Sequence, residues 1–216
     1  MKRIAIFTGS APGADPAFSD LAAGVGRELA ARGIGVVYGG GRAGLMGALA
    51  DGALKAGGEV IGVIPRSMVE REWAHDGITE LHVCETMHER KAIMAARSDA
   101  FLALPGGLGT LEEIFEVWTW RRLGFHRKPV GFLNAGGFWT PLLKALDGIA
   151  ADGFLSPAAM KDVVVEPNLP AALEALSLRR EVAGLGGDVP GEFISCGRAA
   201  AAAPSPPGRG PGRRPA

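Results

Sequence analysis

The chain has 216 residues, 47% of them hydrophobic, with 23 basic and 23 acidic side chains. That suffices for one α/β domain of about 180 residues with a real core, plus a tail. Four arginines and no acid follow Cys196, so the zero net charge leaves a mildly acidic body, which argues against nucleic-acid binding. Cys84 and Cys196 form no metal motif and fit a reduced, cytoplasmic protein. No apolar run approaches the ~20 residues of a membrane helix, so no membrane partner is expected. The first strand begins too early to leave room for a signal peptide.

In chain order, Arg3 to Thr8 is a short apolar run ending in Gly9-Ser10, a buried strand and its loop. Pro16 to Arg32 has helical periodicity, with Phe18, Leu21, Val25 and Leu29 on one face, and stops at Gly33. Ile34 to Tyr38 is a strand that runs into Gly39-Gly40-Gly41-Arg42-Ala43-Gly44. A helix over Leu45 to Ala56 and a strand over Val60 to Ile64 follow. This alternation predicts a Rossmann-like, doubly wound, mostly parallel sheet with helices on both faces. Arg66 to Thr79 is polar and irregular, with Glu70, Arg71, Glu72, Trp73 and His75, a kind of loop that commonly carries function. Glu80 to Cys84 is a weak strand. A helix from Met87 to Ser98 opens with Met87-His88-Glu89-Arg90-Lys91. Positive charge on a first helical turn opposes the dipole, which calls for an anion or carboxylate nearby.

Ala100 to Leu104 is the next buried strand, and Leu111 to Leu123 the next helix. Between them lies Pro105-Gly106-Gly107-Leu108-Gly109-Thr110. A strand, a glycine turn and a helix N-terminus make an anion site, because unpaired amides and the helix dipole converge there. Thr110 can cap the helix or donate to a phosphate, and Glu113 sits on the first turn. By spacing alone this is equally an ordinary capped turn. It matches neither G-x-G-x-x-G nor the P-loop. Three glycine-rich loops after three strand ends favour one shared small-molecule site beyond the carboxyl edge of the sheet.

The helix from Leu111 carries Leu111, Ile114, Phe115 and Trp118 as its apolar stripe, with Glu113, Val117 and Trp120 on another face. An exposed Val and Trp there point to a partner subunit. Val130 to Leu133 and Val163 to Val165 are strands; Trp139 to Ile149 and Leu169 to Leu178 are helices. The domain closes near residue 180. From Glu181 the pattern dissolves, and the Ala-, Pro-, Gly- and Arg-rich end is expected to be disordered.

Three motifs resemble the LOG family, the cytokinin riboside 5′-monophosphate phosphoribohydrolases often mislabelled as lysine decarboxylases. They are Tyr38-Gly39-Gly40-Gly41-x-x-Gly44-Leu45-Met46-Gly47, Met87-His88-x-Arg90-Lys91, and Pro105-Gly106-Gly107-x-Gly109-Thr110-x-x-Glu113. The resemblance covers about Arg3 to Leu178. It implies a Rossmann-like homodimer that hydrolyses the N-glycosidic bond of an AMP-type nucleotide, without metal or cofactor. It implies Arg90 and Glu113 as the catalytic pair and Gly106, Gly107, Gly109 and Thr110 as the phosphate cradle. Ser10, Gly40, Gly41, Glu72, Met87, Lys91, Leu108, Leu111 and Glu112 would complete the substrate site. Leu108 stands where plant members often have an aromatic residue.

These residue types suit the reaction. Cleaving a sugar from a base builds positive charge on the ribose, which a carboxylate stabilises while it orients or deprotonates water. Arg90 would hold Glu113 ionised or contact the substrate. A non-catalytic nucleotide or cofactor carrier is the rival reading, but a binder has no use for Glu113 at the anomeric carbon. A pyridoxal-phosphate decarboxylase needs a Schiff-base lysine, and none of the six lysines has that setting beyond Lys91 at its helix start.

Overall fold

The computed structural model describes residues 1–71 and 73–184. The chain runs β1 (Arg3–Phe7), α1 (Ala17–Ala31), β2 (Gly35–Tyr38), α2 (Gly44–Lys55), β3 (Val60–Pro65), α3 (Arg66–Val69), β4 (Glu80–Cys84) and α4 (Met87–Arg97). It continues through β5 (Ala100–Ala103), α5 (Leu108–Arg122), β6 (Val130–Leu133), α6 (Thr140–Ala151), α7 (Pro157–Asp162), β7 (Val163–Glu166) and α8 (Leu169–Gly184). The strands form one sheet in the order β4-β3-β2-β1-β5-β6-β7, and every pairing is parallel. The α/β Rossmann-like expectation holds, with a wholly parallel sheet.

The strands are apolar on both sides because both sides are covered. Alternate residues feed two cores. Ile4, Ile6, Val36, Tyr38, Leu102 and Leu104 pack against α1, α2 and α8. Ala5, Phe7, Val37, Phe101, Ala103 and Phe132 pack against α4, α5 and α6 on the other face. The chain winds outward from β1 to β4, then returns to lay β5 beside β1. Parallel neighbours whose connections leave in opposite directions cannot fill the space between their carboxyl ends, so a crevice opens there. Thr8 Oγ1 donates to the Pro105 carbonyl at 2.9 Å and the Gly9 amide donates to it at 3.2 Å, fixing the two loops at that crevice.

Several boundaries differ from the sequence reading. Helix α5 starts at Leu108 rather than Leu111, with Gly107 as its N-cap and no side-chain cap. Thr110 is therefore inside the first turn and is not the cap; the apolar periodicity begins one turn later than the helix does. Part of the Arg66 to Thr79 segment is the one-turn helix α3. Helix α7 carries its own signal, since Ser156 caps the Ala159 amide at 3.2 Å and Pro157 begins the helix. Val117 is not an exposed residue for a partner: it is 2% exposed, in the same core as Ile114 and Trp118. Helix α8 continues to Gly184, past the expected end at Leu178 and the boundary near residue 180. The rest of the tail lies outside the described residues, as does Glu72. Among the described residues no helix is long and apolar enough to cross a membrane.

Candidate active site

A cavity of about 760 Å³ opens at the carboxyl edge of the sheet. The loops after β1, β2 and β5 meet there, so the three glycine-rich turns border one cavity. Thr8, Gly9, Ser10, Gly39, Gly41 and the run Pro105 to Thr110 all line it, together with Arg90, Glu112 and Glu113.

The helix N-termini at this edge are not equivalent. At α2 the amides of Leu45 and Met46 already donate to the Gly9 carbonyl, at 3.1 and 3.3 Å. At α5 the first intrahelical bond is Leu111 N–H to Gly107 O, 3.0 Å. The amides of Leu108, Gly109 and Thr110 precede it and face the entrance of the helix. A Cβ on Gly107 or Gly109 would meet nothing within 4 Å, so these backbones border open space. Gly106 is different: a Cβ there would fall 2.1 Å from Thr110 Oγ1, which is why this position is glycine. The Thr110 hydroxyl is buried and has no hydrogen-bond partner among the described residues. Open amides, a free hydroxyl and the dipole of a 15-residue helix together form a cradle for an anion.

One turn further, Glu113 faces Arg90. Glu113 Oε1 lies 3.3 Å from Arg90 Nη1, and both side chains are about 10% exposed. Helix α4 presents Arg90 because Thr86 and Glu89 form a reciprocal cap at its start. The guanidinium is held by the sheet: Nε donates to Val63 O at 3.0 Å and Nη2 to Gly39 O at 3.2 Å. A Cβ on Gly39 would lie 2.0 Å from Nη2, so a side chain there would push the guanidinium out of this position. Burial pushes the Glu113 carboxyl up to about 7, against the pull of Arg90 and with the help of Glu112. A buried carboxyl that titrates near neutrality, fixed beside a guanidinium and one turn from an anion cradle, is equipped for proton transfer or for stabilising a cation.

The other expected site residues separate into two groups. Ser10, Gly41, Met87, Leu108 and Glu112 border the cavity, Leu108 being 87% exposed at its mouth. Gly40, Lys91 and Leu111 do not line it. Gly40 shapes its loop with a φ of 75°, where a side chain would be strained. Lys91 turns toward Glu112 and Glu116, at 2.5 and 2.8 Å. These are the carboxylates that a basic first turn called for. Sequence reasoning missed the apolar wall, made of Phe18, Met46, Met68, Trp73 and Phe138. Phe18 signalled only a helix face and Met46 only its place in the first glycine motif; Met68, Trp73 and Phe138 were not marked as site residues.

The profile of the family described as "Possible lysine decarboxylase" matches residues 46–176. A cytokinin riboside 5′-monophosphate phosphoribohydrolase of Rhodococcoides fascians is 48% identical over 176 residues, covering 81% of this chain and 89% of that protein. An Arabidopsis thaliana protein with the same enzyme name is 47% identical over 167 residues, 77% of each chain. The chain belongs to the LOG family. The LOG fold is shared more widely: the Moco carrier protein of Chlamydomonas reinhardtii superposes with a TM-score of 0.63 over 83% of this chain and 98% of its own. At 23% identity that likeness speaks of the fold alone. The decarboxylase label of the LOG profile finds little support in Lys91, whose ammonium is taken up by two carboxylates.

Proposed function

We propose that the protein hydrolyses the N-glycosidic bond of (N6-prenyl)adenosine 5′-monophosphate, giving the free base and ribose 5-phosphate. The observation that carries this reading is the Glu113–Arg90 pair one helical turn from the α5 anion cradle, in one cavity. A 5′-phosphate on the amides of Leu108 to Thr110 and the Thr110 hydroxyl would set the ribose against Glu113. As the bond to the base breaks, the carboxylate stabilises the positive charge growing on the sugar and orients a water for attack. Arg90, fixed by Val63 and Gly39, keeps that carboxylate in place. The phosphate supplies remote binding energy, so the plain nucleoside should react poorly. The relatives' names support the same reaction.

The test is release of base from AMP and from isopentenyladenosine monophosphate, followed by chromatography. Base from both, faster from the prenylated substrate, is expected; base from AMP alone would make this a salvage nucleosidase. Glu113→Gln and Arg90→Ala should each lower turnover by about a hundredfold or more while circular dichroism stays unchanged. Near-normal turnover in either would remove that residue from the pair. Nucleotide binding without turnover in the unmodified protein would leave the carrier reading.

The homodimer and the cytoplasmic location belong to this same proposal. With Val117 internal, the dimer rests on the family likeness and on exposed apolar residues such as Leu123 and Phe125. Light scattering at twice the chain mass is expected, and a monomer would remove it.

A further inference from the structure

Helices α4 and α5 are joined twice. The first link is Arg90 to Glu113, inside the cavity. The second lies beside it: Lys91 Nζ sits 2.5 Å from Glu112 Oε1 and 2.8 Å from Glu116 Oε2. The Lys91 side chain is only 7% exposed, which is costly for an ammonium unless it is paired. Glu112 and Glu116 flank Glu113 on the same helix, so three carboxylates crowd one turn. Two cations from adjacent positions of α4 answer them. Lys91 is not on the cavity wall, although Arg90, Glu112 and Glu113 are.

We propose that Lys91 is a positioning residue: by neutralising Glu112 and Glu116 from behind, it leaves Arg90 to Glu113 and lets Glu113 carry charge in the reaction. The physical reason is competition among like charges. Each carboxylate that ionises raises the cost for its neighbours, and the most buried of them, least screened by solvent, bears most of that cost. Glu113 is that one, at 8% exposure. The charges that reach it are Arg90 and Lys91 from α4 and Glu112 and Glu116 from its own helix. Arg90 and Lys91 favour its ionised form; Glu112 and Glu116 oppose it. Lys91 acts twice, directly and by cancelling the two opponents.

This role rests on the hydrolase reading, and its test is arranged to keep the two apart. The pH profile of kcat/KM on AMP is measured for the natural protein, Lys91→Met, Lys91→Arg and Glu112→Gln. Lys91→Met should move the rising limb up by about one pH unit, a loss of about fivefold at pH 7 that approaches tenfold at lower pH and is recovered at higher pH. Glu112→Gln should move the limb down, and Lys91→Arg should leave it near its place. Inhibition by ribose 5-phosphate should change by less than about twofold in Lys91→Met, since Lys91 does not line the cavity. Losses independent of pH, with the limb fixed in both variants, would reduce Lys91 to a structural brace and overturn the proposal. A tenfold weakening of ribose 5-phosphate would make Lys91 a substrate ligand and overturn it equally. If the natural protein releases no base, the hydrolase reading fails on its own. The titration of Glu113 is then read from the pH dependence of the Tm difference between each protein and its Glu113→Gln partner. Absence of a displacement there in both Lys91→Met and Glu112→Gln overturns the proposal without any turnover.

Discussion

Glu113 stores the conflict on which the site depends. The fold buries its carboxyl and supplies a 3.3 Å approach from Arg90, and Oε1 has no hydrogen-bond partner among the described residues. Its titration lies at about 7, above the ordinary 4.5. The sign follows directly. Between pH 4.5 and 7 the folded chain keeps a proton that the unfolded chain has lost, so stability from this group is full below 4.5 and gone above 7. Glu113→Gln should therefore be more stable than the natural protein above pH 7, by about 1–3 kcal/mol, and nearly equal to it at pH 4.5. Thermal unfolding at both pH values checks this; a destabilised variant at pH 8 would contradict it. Turnover should behave in the opposite sense, with kcat/KM rising through about pH 7 as the carboxylate forms. The same group is thus expected to cost stability and to confer activity.

At the scale of elements, the cradle depends on which helix ends are left open. The first amides of α2 are spent on the Gly9 carbonyl, while those of α5 are not. That difference requires α2 to stand close to the β1 loop, and α1 sets its place. The two helices cross through Gly26 and Gly52. A Cβ on Gly26 would lie 2.2 Å from Leu49 O, and one on Gly52 2.3 Å from Ala23 O. Both obstacles are backbone, which cannot swing aside. Gly→Ala inside an exposed helix gains about 1 kcal/mol. Here Gly26→Ala or Gly52→Ala should instead cost about 1–3 kcal/mol, as overpacking does. The urea midpoint is the measurement, and an unchanged or higher midpoint would show that the helices part freely.

At the scale of the whole molecule, acid stability depends on a histidine far from the chemistry. His126 is buried between α5 and β6, with Nε2–H donating to Val117 O at 3.0 Å. Its Nδ1 accepts from the Lys128 amide at 3.1 Å, which fixes the neutral tautomer. Burial drives its titration down to about 4 from 6.5. Its contribution is present above pH 6.5 and is lost as pH falls toward 4, because the unfolded chain takes up the proton first. The loss amounts to about 3 kcal/mol at most. The stability gap between the natural protein and His126→Gln should shrink across that window. A gap that stays constant from pH 7 to 4 would show that His126 does not hold its neutral form.

What the sequence determined by itself is local and periodic. Apolar runs set the strands, their alternation with 3.6-residue patterns set a parallel α/β fold, and the glycine motifs marked the three loops of the site. Arg90, Thr110 and Glu113 were legible because their spacing within short motifs survives folding. Sequence periodicity could not say that α5 begins at Leu108, since Gly107 and the loop geometry start the helix before its apolar stripe does. Nor could it turn Val117 inward, direct Lys91 away from the cavity, or gather Met46, Trp73 and Phe138 into one wall. Those outcomes depend on contacts between distant segments, where burial and charge pairing are decided only once β5 lies beside β1.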